Sequence, residues 1–258
     1  MDAVTALTPS AGQWVDDGDG DLNTDTYLVQ YGCTASIIVT AADCLGLDAS
    51  ALPSCWQTTC TKGSATKIDN KTYSVDDNTV GTTVISVTCG TSHKTITLIV
   101  YKATYEADSA GGTSAAWWGH AWWDLSVTPS MDNYLTQKER TSQGVAGWYD
   151  SGDAQHHGQV RSGTQYIGGG STPYVATGMY WWCVSFRNYV YALRYVDSLA
   201  NGGSIFQDCN NNCVVQTKRV AFYAGVTLNY SGIECDNPGG LSAYLNDLLP
   251  SPPPCSCQ

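Results

Sequence analysis

Trp118-Gly119-His120-Ala121-Trp122-Trp123 and Asn211-Asn212-Cys213-Val214-Val215 are the two segments on which the reading of this chain turns. The first has the aromatic, alternating character of a β-strand and carries a histidine. The second opens with asparagines, a favoured helix-capping type, and its valines can bury a helix against a sheet. A thiol at a helix N-terminus is stabilised as a thiolate by the helix dipole. An imidazole on a facing strand can take its proton. The pair therefore points to nucleophilic chemistry at Cys213 with His120 as base. The Cys213 amide and Asn212 are candidates to support the oxyanion.

A third group normally orients the imidazole. Gly144–Tyr149 reads as a strand antiparallel to Trp117–Val127, which brings Tyr149 or Asp150 beside His120. Asp150 is the better acceptor for a ring N–H, with Asp153, His156 and His157 as alternatives just beyond. Alternation places Trp118, His120, Trp122 and Asp124 on one strand face, so Trp118, Trp122 and Tyr149 are the expected cleft residues. The clusters Trp117–Trp123, Trp148-Tyr149 and Tyr180–Trp182 read first as core and second as a surface on which sugars stack. His156-His157 has no further ligand at zinc spacing and reads as a loop.

Farther along, Ser185 caps a helical pattern in Tyr189, Leu193, Val196 and Ala200, closed by Asn201-Gly202-Gly203. A second helix is expected from Cys213 to about Tyr223, ended by Ala224-Gly225. A third spans Leu241–Leu249 and stops at Pro250. Residues 26–104 contain only strand signals, among them Thr26–Tyr31 and Ala35–Thr40. Thr82–Cys89 and Thr95–Tyr101 form an expected hairpin across Gly90-Thr91-Ser92-His93. The small, polar residues 105–116 read as a linker. The expected organisation is an acidic leader (1–25), an all-β module (26–104), the linker, and an α+β domain with a Pro/Cys-rich tail (117–258).

The leader holds Asp17, Asp19, Asp21 and Asp25 at calcium-loop spacing. Leu22 stands where such a loop needs glycine, and Leu28 where it needs glutamate. A solvated acidic segment is the plainer reading, with calcium the alternative; no cofactor is expected for catalysis.

Only 14% of the 258 residues are charged, and the net charge is −11. That balance disfavours nucleic acid and anionic membranes as partners. No apolar run approaches the roughly 20 residues of a membrane span. Eleven cysteines, with Lys scarce, point to an oxidising compartment and disulfides, and so to a secreted or surface protein that has lost a leader peptide. The count is odd, which leaves a thiol over unless it pairs between chains. Cys209 lies four residues before Cys213, so a Cys209–Cys213 bridge is the alternative to a free nucleophile.

Gly119-His120 on a strand followed by Asn212-Cys213 at a helix start resembles the circularly permuted papain-like families. These include permuted NlpC-type peptidases and lecithin retinol acyltransferase-like proteins. The resemblance covers residues 117–228 and implies an antiparallel sheet packed on helices, Cys213 as nucleophile and His120 as base. Members act on peptide, amide or acyl-ester bonds, so a peptide, peptidoglycan or another surface polymer is the expected partner. Residues 26–104 resemble bacterial immunoglobulin-like sandwiches. The rival expectation is a non-enzymatic, disulfide-stapled surface or matrix protein that makes contacts, self-association included, through aromatic faces and sheet edges.

Overall fold

A computed structural model describes residues 3–10, 12–15, 23–30, 36–42, 56–60, 64–67, 72–76, 81–89, 91–108, 119–125, 134–162, 175–207, 209–231 and 236–248. The fold is mixed α+β, and the chain divides between Tyr101 and Lys102 into two main units.

The first unit is all β. One antiparallel sheet has the order β1-β4-β7-β6, from Ala3–Pro9 (β1), Ser36–Ala42 (β4), Thr72–Asp76 (β7) and Ser64–Lys67 (β6). The second has the order β2-β3-β9-β8-β5, from Gln13–Val15, Thr24–Gln30, Ser92–Tyr101, Gly81–Cys89 and Trp56–Cys60. Strand β1 packs on β8 and β9. The hairpin forms as expected, with Cys89 opposite Ser92. Along β8, Thr83, Ile85 and Val87 are buried and their neighbours half-exposed, as strict alternation requires. Strands β3 and β9 run parallel, the one parallel pairing among the described strands.

Residues 1–25 are not merely a leader. Strand β1 pairs with β4 and buries Leu7, and β2 pairs with β3. Asp17, Asp19 and Asp21 lie outside the described residues. Asp25 sits on β3 and accepts a hydrogen bond from Trp14 Nε1 at 3.2 Å. Among the described residues no group of three His, Cys, Asp or Glu could hold a metal.

The second unit is a five-stranded antiparallel sheet of order β13-β12-β11-β10-β14, packed against helices. Its strands are Gly158–Ser162 (β13), Gly144–Asp150 (β12), His120–Leu125 (β11), Ala103–Asp108 (β10) and Gly178–Trp182 (β14). The expected linker is overturned where it overlaps β10. Ala103, Tyr105 and Ala107 are fully buried on one face of a strand paired on both sides. Residues 109–116 lie outside the described residues.

Among the described residues four helices accompany the sheet: Gln137–Thr141 (α1), Phe186–Asn201 (α2), Cys213–Tyr223 (α3) and Pro238–Asp247 (α4). Ser185 caps α2, which buries Tyr189, Ala192, Leu193, Val196 and Leu199. Asn212 Oδ1 caps α3 by accepting from Val215 N at 2.9 Å, and Gly225, at φ +78°, follows its end. Helix α4 starts three residues before the expected Leu241. Asn237 accepts from Gly240 N at 2.8 Å and Pro238 supplies the first turn, which outweighs the poor helix propensity of Gly239 and Gly240. Among the described helices none is long and apolar enough to cross a membrane.

The cross-strand pairs put Tyr105, Trp123 and Trp148 on one sheet face, which the helices cover. Trp148 Nε1 donates to Asn211 O at 3.1 Å, and the Tyr189 hydroxyl donates to Leu125 O. Two glycines allow this closeness. A Cβ on Gly178 would lie 2.3 Å from Ser242 O, and one on Gly158 only 1.8 Å from Trp148 Cζ2. Trp148 is fully buried and cannot swing clear. Gly158→Ala should therefore cost about 1–3 kcal/mol by overpacking. Thermal unfolding should show this as a fall of about 3–10 °C; an unchanged midpoint would place Trp148 elsewhere.

Candidate active site

His120 opens β11 directly after Gly119, whose φ of +63° turns the chain into the strand. Its ring is buried and stacks on Tyr149 (centroids 4.2 Å, interplanar 30°), with Trp122 nearly parallel at 5.9 Å. The register explains this: Trp122 is opposite Gly147, so Tyr149 comes level with His120 on the same face. Gly147 leaves the space that the imidazole fills, since a Cβ there would sit 2.5 Å from His120 Nε2. Trp122 Nε1 donates to Glu106 Oε2 at 2.8 Å, and the Arg161 guanidinium lies 6.0 Å from the Tyr149 ring centre. Burial pulls the His120 pKa down to about 3.

Cys213 is the first residue of α3, buried, and carries a free thiol. Burial pushes its pKa up to about 11, against hydrogen bonds from the amides of Ala121, Val214 and Cys213 itself. The Ala121 contact matters most for the architecture. It seats the thiol against β11 one residue beyond His120. By alternation, though, the His120 side chain leaves β11 on the face opposite Ala121, towards Tyr149 and Gly147. Helix and strand thus meet as expected, while imidazole and thiol are each held in a neutral form at pH 7.

Asp150 does not orient His120. Its Oδ2 is 2.8 Å from His156 Nδ1, and its Oδ1 accepts from Gly152 N at 2.8 Å. Burial acts to raise its pKa, but the Gly152 amide and His156 hold it below the usual carboxylate range. Asp150 also follows Tyr149 in β12, so it leaves the strand on the other face. The other candidates pair among themselves. Asp153 Oδ2 is 2.7 Å from His157 Nδ1, which with amide donors lowers Asp153 to about 2. Both His–Asp pairs belong to an exposed loop in which His156 has a φ of +54°.

Asn212 is engaged at both ends of its amide. Oδ1 caps α3 and Nδ2 donates to Asp236 O at 2.7 Å, so both ends of the amide serve to position the helix. Trp122 and Tyr149 are brought to His120 as expected, but as a buried stack; Trp118 lies outside the described residues. Cys209 is exposed and free, so the Cys209–Cys213 bridge is not formed.

The strand pairing brings forward a residue that the sequence reading passed over. Asp108, on β10, is the direct cross-strand register partner of His120. The clue available in sequence was the alternation Tyr105-Glu106-Ala107-Asp108, masked by the small, polar run that follows. Glu106, two residues away on the same face, has its carboxyl raised by burial.

Comparison with known proteins gives no matching family model, no matching curated protein and no matching solved structure.

The buried imidazole makes a stability prediction. An unfolded histidine takes up a proton near pH 6.5, whereas folded His120 resists until about pH 3. The unfolded state therefore binds more protons across that window, and stability falls as pH drops from about 6.5 towards 3. The slope from this group approaches about 1.4 kcal/mol per pH unit. Denaturant titrations at pH 6 and pH 4 should show a shallower loss in His120→Gln than in the parent chain. Equal losses would mean that His120 is not buried in its neutral form.

Proposed function

We propose that the chain is a secreted or cell-surface cysteine hydrolase that cleaves a peptide or amide bond, with peptidoglycan as a fitting polymer. Cys213 is the nucleophile and His120 the base. On this reading the second unit is a permuted papain-like domain, and the first is an immunoglobulin-like module that holds it at a surface. One observation carries the proposal: a free, buried thiol at the first residue of a capped helix is hydrogen-bonded to the strand that His120 opens.

In the reaction the Cys213 proton passes to His120 once the imidazole, which leaves β11 on the face away from Ala121, is brought to the thiol, and the sulfur attacks the carbonyl carbon. The resulting oxyanion lies near the α3 N-terminus. Collapse expels the amine, protonated by His120, and leaves a thioester that water hydrolyses as His120 takes the water's proton. No cofactor is needed. Asp108, the register partner of His120 on β10, takes the place of Asp150 as the candidate third residue.

A second reading has an observation of its own. His120 in a closed aromatic stack and Cys213 as a neutral thiol are what a non-enzymatic core also contains. Alkylation separates the two, because exposed Cys209 is an ordinary thiol in the same chain. With a small iodoacetamide probe at pH 6–7 and peptide mapping, a nucleophilic Cys213 labels at least about tenfold faster than Cys209. His120→Ala abolishes that advantage, and Cys213→Ala removes the labelled peptide. Cys213 slower than Cys209 at every pH below 9 would overturn the hydrolase reading in favour of the structural one.

A further inference from the structure

Helix α2 carries two stripes at the same i, i+3, i+4, i+7 spacing. Tyr189, Ala192, Leu193 and Val196 face the core. Tyr191, Arg194, Tyr195 and Ser198 do not. With Tyr223 at the end of α3, they line a cavity of about 410 Å³. Tyr195 and Tyr223 stack at 4.4 Å and 18°, and Phe222 meets Tyr223 edge-on at 5.9 Å. These rings are on the surface: Tyr191 is 37% exposed, Tyr223 45% and Phe222 68%.

Arginines surround the rings. Arg187 Nε donates to the Tyr191 hydroxyl at 2.9 Å, with its guanidinium 5.5 Å from the ring centre. Arg219 hydrogen-bonds Tyr195, and Arg194 is held by Glu139 at 2.7 Å. Three of the five arginines of a chain with net charge −11 thus surround one groove. The nearby carboxylates are already paired, Glu139 with Arg194 and Asp197 with Lys138 at 3.9 Å.

Each part of this arrangement selects a ligand. A pair of stacked tyrosines offers an apolar plane with polar edges, which suits the C–H face of a sugar ring. Guanidinium groups take carboxylates as planar, bidentate partners. The volume is that of a small-molecule site. The strongly negative remainder of the chain repels long polyanions, so the groove suits a ligand with few charges. We infer that the groove between α2 and the end of α3 binds an acidic saccharide, its ring on the tyrosines and its carboxylate on the arginines. Ten residues of helix separate Cys213 from Tyr223, about 15 Å, so this site lies apart from the thiol and does not depend on the hydrolase reading.

The test titrates the full chain by calorimetry with a uronic-acid tetrasaccharide, its carboxyl-reduced counterpart and tetraglutamate. The tetrasaccharide should bind saturably with a Kd of about 1 mM or below, and the other two at least about tenfold more weakly. Tyr223→Ala should weaken the tetrasaccharide about tenfold, and Arg187→Gln about fivefold without changing the reduced form. Tyr191→Ala serves the same purpose if Tyr223→Ala lowers the melting temperature. The inference is overturned by the absence of saturation at about 10 mM, by equal binding of the reduced sugar or the peptide, or by tyrosine variants that bind like the parent.

Discussion

Strand β11 is the constraint on which the second unit depends, because it is paired on both sides and used on both faces. Its register with β10 sets Asp108 and Glu106 across from His120 and Trp122. Its register with β12 sets Gly147 across from Trp122 and so opens the space that the imidazole fills. On the other face Trp123, beside Tyr105 and near Trp148, forms the floor on which the helices rest. A one-residue slip would exchange the faces, bury Asp124 and expose Trp123. Trp148 couples this sheet to the loop before α3 through Asn211, so the seat of Cys213 depends on strand pairing as well as on its own helix.

The protonation states follow from that packing. Burial lowers the pKa of the His120 imidazole and raises that of the Cys213 thiol, so each is favoured in its neutral form over a thiolate–imidazolium pair. The amides of Ala121, Val214 and Cys213 already favour the thiolate, leaving desolvation as the opposing influence. The influence against a thiolate is therefore burial rather than missing donors.

The elements legible in the sequence are those with strong local punctuation. Helix α3 has the expected ends because Asn212 and Gly225 each satisfy backbone groups that the helix leaves open. Helix α2 is equally clear from Ser185 and one apolar stripe. Strands β1 and β10 were missed because their partners are distant. Strand β1 is sandwiched in composition between a terminus and an acidic run, and β10 runs directly into small, polar residues. Only pairing with β4 or β11 shows that Leu7 or Tyr105 has a core to enter. The same dependence on folding bears on Asp150. Sequence proximity favoured Asp150, but a two-residue turn gives it to the Gly152 amide and a six-residue loop to His156.

Helix α3 has different chemistry at its two ends, and its geometry explains why. The first turn buries Cys213 and Val214, which fixes the thiol but excludes solvent. In the last turn Val220 and Ala221 are still buried, while Phe222 and Tyr223 lie on the other side of the helix and are exposed. Tyrosine can be left there at lower cost than an aliphatic residue, because its hydroxyl is hydrated and its ring still stacks on Tyr195. Gln216, one turn past Cys213, accepts from the Tyr195 hydroxyl at 2.7 Å, so one buried amide links the groove tyrosine to the first half of the helix.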